Sequence, residues 1–317
     1  MTAVVGAAVS VYAWGYFGTR AAARSFWPLW LFLWGALNAL FLSGDAFNLY
    51  VTLELVGLSA VALVALAGGR AALAGAMRYL LVGLLGSLAY LLGVALLYAE
   101  HGTVDLGQLA AAAGGSPATL AAAALMTVGL VMKTALFPLH FWLPPAHGGA
   151  PAPVSAALSA LVVKASFYLL LRLWSGVFAG LEGGGVSLLL GLLGSAAVLW
   201  GGYQALRAER LKLLVAYSTV AQVGYLFLVF PLLRAPEAAA TAWSTTAFAL
   251  SGVSLIGLPP TGGFVGKWLL LRTMAASGSW LWLAVIAVGT FLAVGYIFRV
   301  LGRVFEADYQ PQPALLA

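Results

Sequence analysis

Residues 132–172 read MKTALFPLHFWLPPAHGGAPAPVSAALSALVVKASFYLLLR. Two lysines, Lys133 and Lys164, stand in apolar sequence here, and between them lie five of the chain's thirteen prolines and two of its three histidines. Proline cannot donate a backbone hydrogen bond and glycine relaxes φ, so Pro138, Pro144 and Pro145 predict a broken helix. At membrane depth such a break persists only when it is buried in protein or lines a wet cavity. The stretch therefore predicts two membrane helices joined through an interruption, each carrying a cation.

The rest of the chain agrees with that setting. Only 8% of its 317 residues are charged, against roughly 25% in an ordinary globular domain. Hydrophobic residues make up 63% and the mean hydropathy is +1.02. Nine acids and fifteen bases cannot cover a soluble surface of this size. At about 20 residues per crossing, the composition predicts an all-α, polytopic bundle of about ten transmembrane helices in the lipid bilayer.

Apolar stretches fall near 3–18, 27–44, 47–67, 79–98, 119–137, 154–174, 186–205 and 213–232, with two further ones near 248–275 and 280–298. Uniform Leu, Ala, Val and Gly without period-2 alternation argues for helices over barrel strands. No positive residue precedes the first apolar run, so it reads better as a span than as a cleaved signal. The net charge of +6 is too scattered for a nucleic-acid patch. With no cysteine, disulfides, thiolate chemistry and cysteine-held clusters are excluded.

Loop charges give an orientation. Arg20 with Arg24, Arg70 with Arg78, and Arg207 with Arg210 and Lys212 mark three basic loops, expected on the cytoplasmic side of a cell inner (plasma) membrane. The alternation holds to about residue 235 and then fails: with 248–275 as one span, Arg299 and Arg303 fall outside. One crossing is therefore expected to be missing between 233 and 247.

Three of the four lysines lie in apolar stretches, Lys133, Lys164 and Lys267, and Glu54 lies in FNLYVTLELVGLSAVALVAL. Each charge costs about 2.5–3.5 kcal/mol at a helix centre, more than structure alone usually justifies. Snorkelling near helix ends suits Arg172 and Arg272, but it suits Glu54 and Lys164 poorly. A row of functional ionisable groups is the better reading. Polar stripes run along Lys164, Tyr168 and Arg172, and along Ser218, Gln222 and Tyr225. Ser and Gln stripes such as the second fit a hydrated proton path and interhelical hydrogen bonding equally well.

A second interruption, SLIGLPPTGGFVGKWLLL, repeats Leu-Pro-Pro followed by Gly-Gly, with Pro259 and Pro260 before Lys267. Paired breaks in two halves of a chain point to a transporter built from repeats. His140 and His147 have no nearby carboxylate, so no metal site is expected. Phosphate loops, dinucleotide fingerprints and nucleophile elbows are absent from the sequence, and neither cofactor nor catalytic residue is expected.

The quoted run resembles the signature of the antiporter-like subunits shared by respiratory complex I, membrane-bound hydrogenases and Mrp-type sodium/proton antiporters. So do SGDAFNLYVTLEL, LKLLVAYSTVAQVGYLFL and SLIGLPPTGGFVGKWLLL, in the family's order. The Gly-Asp-x-Phe-Asn-Leu before Glu54 looks most like the D subunit of Mrp antiporters or its hydrogenase counterpart, with the complex I subunit N type close behind. The resemblance implies that Glu54 pairs with Lys133, that Lys164 sits mid-axis, and that Lys267 passes charge to a neighbour or an exit. It further implies two inverted five-helix repeats, 27–174 and 186–300, flanked by 1–26 and a 301–317 tail. His140, Tyr168, Ser218, Gln222 and Tyr225 are candidate path or gating residues.

The expected function is proton, or Na+/H+, translocation within a multi-subunit membrane complex. The expected partners are other membrane subunits, with any redox catalysis lying elsewhere. A shortened, non-conducting scaffold subunit is the rival, because the family usually has about fourteen helices.

Overall fold

The computed structural model describes residues 2–181, 184–232 and 262–305. The expected missing crossing at 233–247 and the break at Pro259 and Pro260 lie outside the described residues. The chain forms two compact units, Met1–Val186 and Ser187–Ala317.

Unit 1 is built from α1 (Thr2–Phe17), α2 (Ala22–Leu42), α3 (Ala46–Ala65), α4 (Gly69–His101), α5 (Leu106–Ala112), α6 (Pro117–Lys133), α7 (Leu143–Gly149), α8 (Ala152–Ala157) and α9 (Val163–Ser175). Side chains start several of these helices. Asp45 accepts from Asn48 N at 2.6 Å to open α3, and Asp105 from Gln108 N at 2.9 Å to open α5. Ser116 accepts from Thr119 N at 3.2 Å, with Pro117 at the first helical position of α6. The two aspartates also face each other in an isolated antiparallel bridge, Ala46 N to Val104 O and Leu106 N to Gly44 O. That bridge ties the start of α3 to the start of α5.

α4 is the spine of unit 1, packing on α3, α6 and α7. Its approach to α6 depends on glycine. A Cβ on Gly86 would lie 2.8 Å from the Gly129 carbonyl oxygen, so no side chain fits there. Small residues of this kind are what let membrane helices pack backbone to backbone.

The sequence places Arg70 and Arg78 in a loop, whereas both lie in α4, and the connection shrinks to residues 66–68. Arg, Ala, Leu and Met are all good helix formers, and nothing between 70 and 78 stops the helix. Gly68 and Gly69, at φ 69° and 76°, make the turn that precedes it. At about 1.5 Å per residue the 33-residue helix is longer than the hydrocarbon layer is thick, which leaves the exposed Arg70 and Arg78 at its N-terminal end.

Further along α4, Leu81, Leu85, Leu88 and Leu92 are exposed at helical spacing. A stripe like this facing water would be an aggregation liability; facing lipid it is ordinary.

Unit 2 contains α10 (Gly185–Arg207), α11 (Leu211–Phe227), α12 (Gly262–Ala276) and α13 (Trp280–Phe305). Ala205, Leu214, Ala293 and Tyr296 form a buried cluster from α10, α11 and α13. Arg299 donates to the Leu206 carbonyl near the C-terminal end of α10, where a cation is favoured by the helix dipole. Across the described residues, seven helices are long and apolar enough to cross a membrane, and two shorter ones are also apolar. The protein is a polytopic helical membrane protein.

Candidate ion-translocation site

The broken helix begins earlier than the prolines suggest. α6 stops at Lys133, and Ala135 is already in the left-handed region at φ 54°. Pro138 has no N–H to give to the carbonyl of residue 134, so the helix cannot run on into it. The carbonyls at the end of α6 are satisfied locally instead. Thr134 N donates to Leu130 O at 2.8 Å, Thr134 Oγ1 to Val131 O at 2.9 Å, and Trp142 Nε1 to Met132 O at 2.9 Å. Trp142 is held by stacking on Tyr79 of α4, with centroids 4.3 Å apart. Past the break, Pro144 and Pro145 open α7, where a missing N–H costs nothing.

Lys133 thus sits at a helix C-terminus, with its ammonium 3.2 Å from Glu54 Oε1 of α3. The pair is nearly enclosed, at 7% side-chain exposure for the lysine and 18% for the glutamate. Ser87 of α4 donates its hydroxyl to the same carboxylate oxygen. Glu54, Lys133, Gly57, Tyr79 and Gly83 line a small open pocket there. Three helices therefore converge on one buried charge pair, and the lysine lies at the negative end of α6.

Ser87 is the residue that sequence reading missed. A serine in a Leu- and Gly-rich helix carries no signal of its own. Only the register of α4 against α3 turns it toward Glu54.

Lys164 is held differently. Between α8 and α9 the helix widens into a π turn at Leu158–Val162, where Val163 N–H bonds back to Leu158 O. The Lys164 ammonium donates to the Ser159 carbonyl at 2.8 Å. Among the described residues no carboxylate lies within 4 Å of it. Such single-turn π insertions occur often at functional sites. Tyr168 and Arg172 follow Lys164 along one half-buried face. Tyr168 packs edge-on against Phe41, while Arg172 donates to the Ser43 carbonyl at the end of α2. Arg172 therefore caps a neighbouring helix.

The other sequence candidates divide. Ser218 is fully buried, but its hydroxyl donates to Val215 O of its own helix at 2.8 Å. Gln222 is partly buried, and Tyr225 is buried with its ring under the Lys267 ammonium, 4.7 Å from Nζ to the centroid. His140 stacks on Phe137 within the break. His147 is fully buried in α7, and among the described residues neither ring nitrogen has a hydrogen-bond partner. No group of three or more His, Asp or Glu side chains gathers among the described residues.

Residues 43–246 match the family described as NADH:quinone oxidoreductase/Mrp antiporter, TM. The chain belongs to this family. It is therefore an antiporter-like membrane subunit of the kind found in NADH-quinone oxidoreductase and Mrp complexes. One relative of this antiporter-like subunit is the NADH-quinone oxidoreductase subunit N of Desulforudis audaxviator, 35% identical across the whole chain and 72% of that protein. The matched stretch there runs over 365 residues against 317 here. A chain in the membrane-bound sulfane sulfur reductase, an archaeal respiratory membrane complex, superposes with a TM-score of 0.80 at 26% identity, over 98% of this chain and 74% of that one. A chain of the Mrp complex from Dietzia sp. superposes with a TM-score of 0.77 at 25% identity, over 90% of this chain, which spans 62% of that one.

Proposed function

We propose that this subunit translocates protons, with Na+/H+ exchange as the variant chemistry, along Glu54, Lys133, Lys164 and Lys267. Its partners are other membrane subunits of one complex in a bacterial plasma membrane, and its basic loops face the cytoplasm. The observation that carries the reading is the buried Glu54–Lys133 pair at 3.2 Å, set at the end of a broken helix. An intramembrane ion pair is costly to keep and marks an ion path by default. Because the pair reaches α3, α4 and α6 at once, a shift in its geometry changes the field felt along the bundle.

Lys133 and Lys164 bring two kinds of holding group to the path. An ion pair can open and close, and a lysine resting on a neutral carbonyl can lose and regain its proton without stranding a counter-charge. The longer stretch in the Desulforudis relative has room for about two more crossings at roughly 20 residues each, which supports a shortened member of the family.

The test is ion movement into everted membrane vesicles that contain the whole complex, read by a pH-sensitive dye. Glu54→Gln and Lys133→Ala should each abolish transport while the partner subunits still co-purify. Normal transport in both variants refutes the path.

A further inference from the structure

Lys267 and its surroundings in unit 2 differ from the Lys133 site in a way that assigns a role to Tyr225. The ammonium of Lys267, on α12, lies over the Tyr225 ring of α11 at 4.7 Å. Both side chains are buried, Lys267 at 9% exposure and Tyr225 at 4%. A desolvated ammonium over an aromatic face is the geometry in which cation–π attraction is largest. The hydroxyl end of the ring lies against Gly289. A Cβ on Gly289 of α13 would collide with the Tyr225 hydroxyl and with Val198 of α10. The absence of a side chain at 289 is therefore what lets the ring lie where it does. Helices α10, α11 and α13 together form the seat, and α12 supplies the cation.

We propose that Tyr225 is a positioning residue for ion transfer: its ring face holds the Lys267 ammonium in place. This rests on the proposed function, in which Lys267 carries charge. A ring face attracts the ammonium without taking or giving a proton. The ring therefore keeps the same charge through any proton turnover at Lys267, unlike a carboxylate, which becomes neutral when it is protonated.

The experiment replaces the ring electronics while keeping its shape. Tyr225→Phe is compared, in the same vesicles and intact complex, with mono-, di- and trifluorinated phenylalanine incorporated at position 225. Each fluorine withdraws density from the ring face but leaves its size nearly unchanged, so packing and assembly are held constant. Tyr225→Phe should keep transport within about twofold of the parent. The fluorinated series should lose it stepwise, reaching about tenfold with three fluorines, in line with the strength of a desolvated cation–π contact. Tyr225→Leu should lose at least as much.

A flat fluorination series overturns the proposal, and so does a Tyr225→Phe loss as large as that of Tyr225→Leu, which would assign the effect to the hydroxyl. Lys267→Ala separates the two layers of the argument. If it transports normally, the charge path itself fails. If it abolishes transport while the series stays flat, only the role of the ring fails.

Discussion

Lys133 and Lys164 are the same residue type, both in apolar sequence of unit 1, yet they are held by opposite means. Lys133 ends a helix and faces a carboxylate that Ser87 also holds. Lys164 lies within a helix and faces a neutral carbonyl beside a π turn. The difference predicts what each removal leaves behind. Taking away Lys133 strands a buried carboxylate, whereas taking away Lys164 strands a carbonyl with a second lone pair to use. One lysine is therefore tied into the stability of the bundle, and the other is nearly free of it.

The sharpest way to break this comparison is Lys133→Ala, which should abolish transport and also destabilise the complex by about 3–5 kcal/mol, because it leaves an uncompensated buried charge. Thermal unfolding of the purified complex reads the second effect. Pairing it with a neutral partner, Glu54→Gln with Lys133→Met, should return most of that stability and none of the transport.

Lys164→Met comes next. It should abolish transport equally while changing stability by less than about 1 kcal/mol, since replacing a buried ion with an apolar group is often neutral or better. If its melting temperature falls as far as that of Lys133→Ala, the contrast between the two lysines is wrong.

Ser87→Ala removes one hydrogen bond to the Glu54 carboxylate. It should cost about 1.5–3 kcal/mol, the range for bonds to charged groups, and slow transport several-fold without abolishing it. The smallest effect is expected at Ser218, whose hydroxyl is committed to its own helix. Ser218→Ala should cost about 1 kcal/mol, the order of one neutral hydrogen bond, and stay within about twofold in rate. A large transport loss there would return Ser218 to the path.

Much of this was legible in the residues. Glu54, Lys133, Lys164 and Lys267 stand out because a charge in apolar sequence is rare and costly, and the prolines of 138–145 announce a break because they lack a donor. The exact stop at Lys133 was not legible, since it depends on Ala135 taking a left-handed conformation. The reach of α4 through Arg70 and Arg78 was also hidden, because loop charge and helix-end charge look alike in a sequence. Arg172 could be read as a span-closing cation, but its target, the Ser43 carbonyl, is 129 residues away.

The sequence by itself determined that the chain lives in lipid, that it is helical, and which few charges it carries inside. Those follow from composition and local chemistry, which need no partner. Only the tertiary structure decided how each charge is held: Glu54, itself bound by Ser87, on Lys133, a π-turn carbonyl on Lys164, a tyrosine face on Lys267. The holding groups at Lys133 and Lys267 come from other helices, and the one at Lys164 comes from a local change in helix gauge. Both depend on register and packing, which no single stretch of sequence encodes.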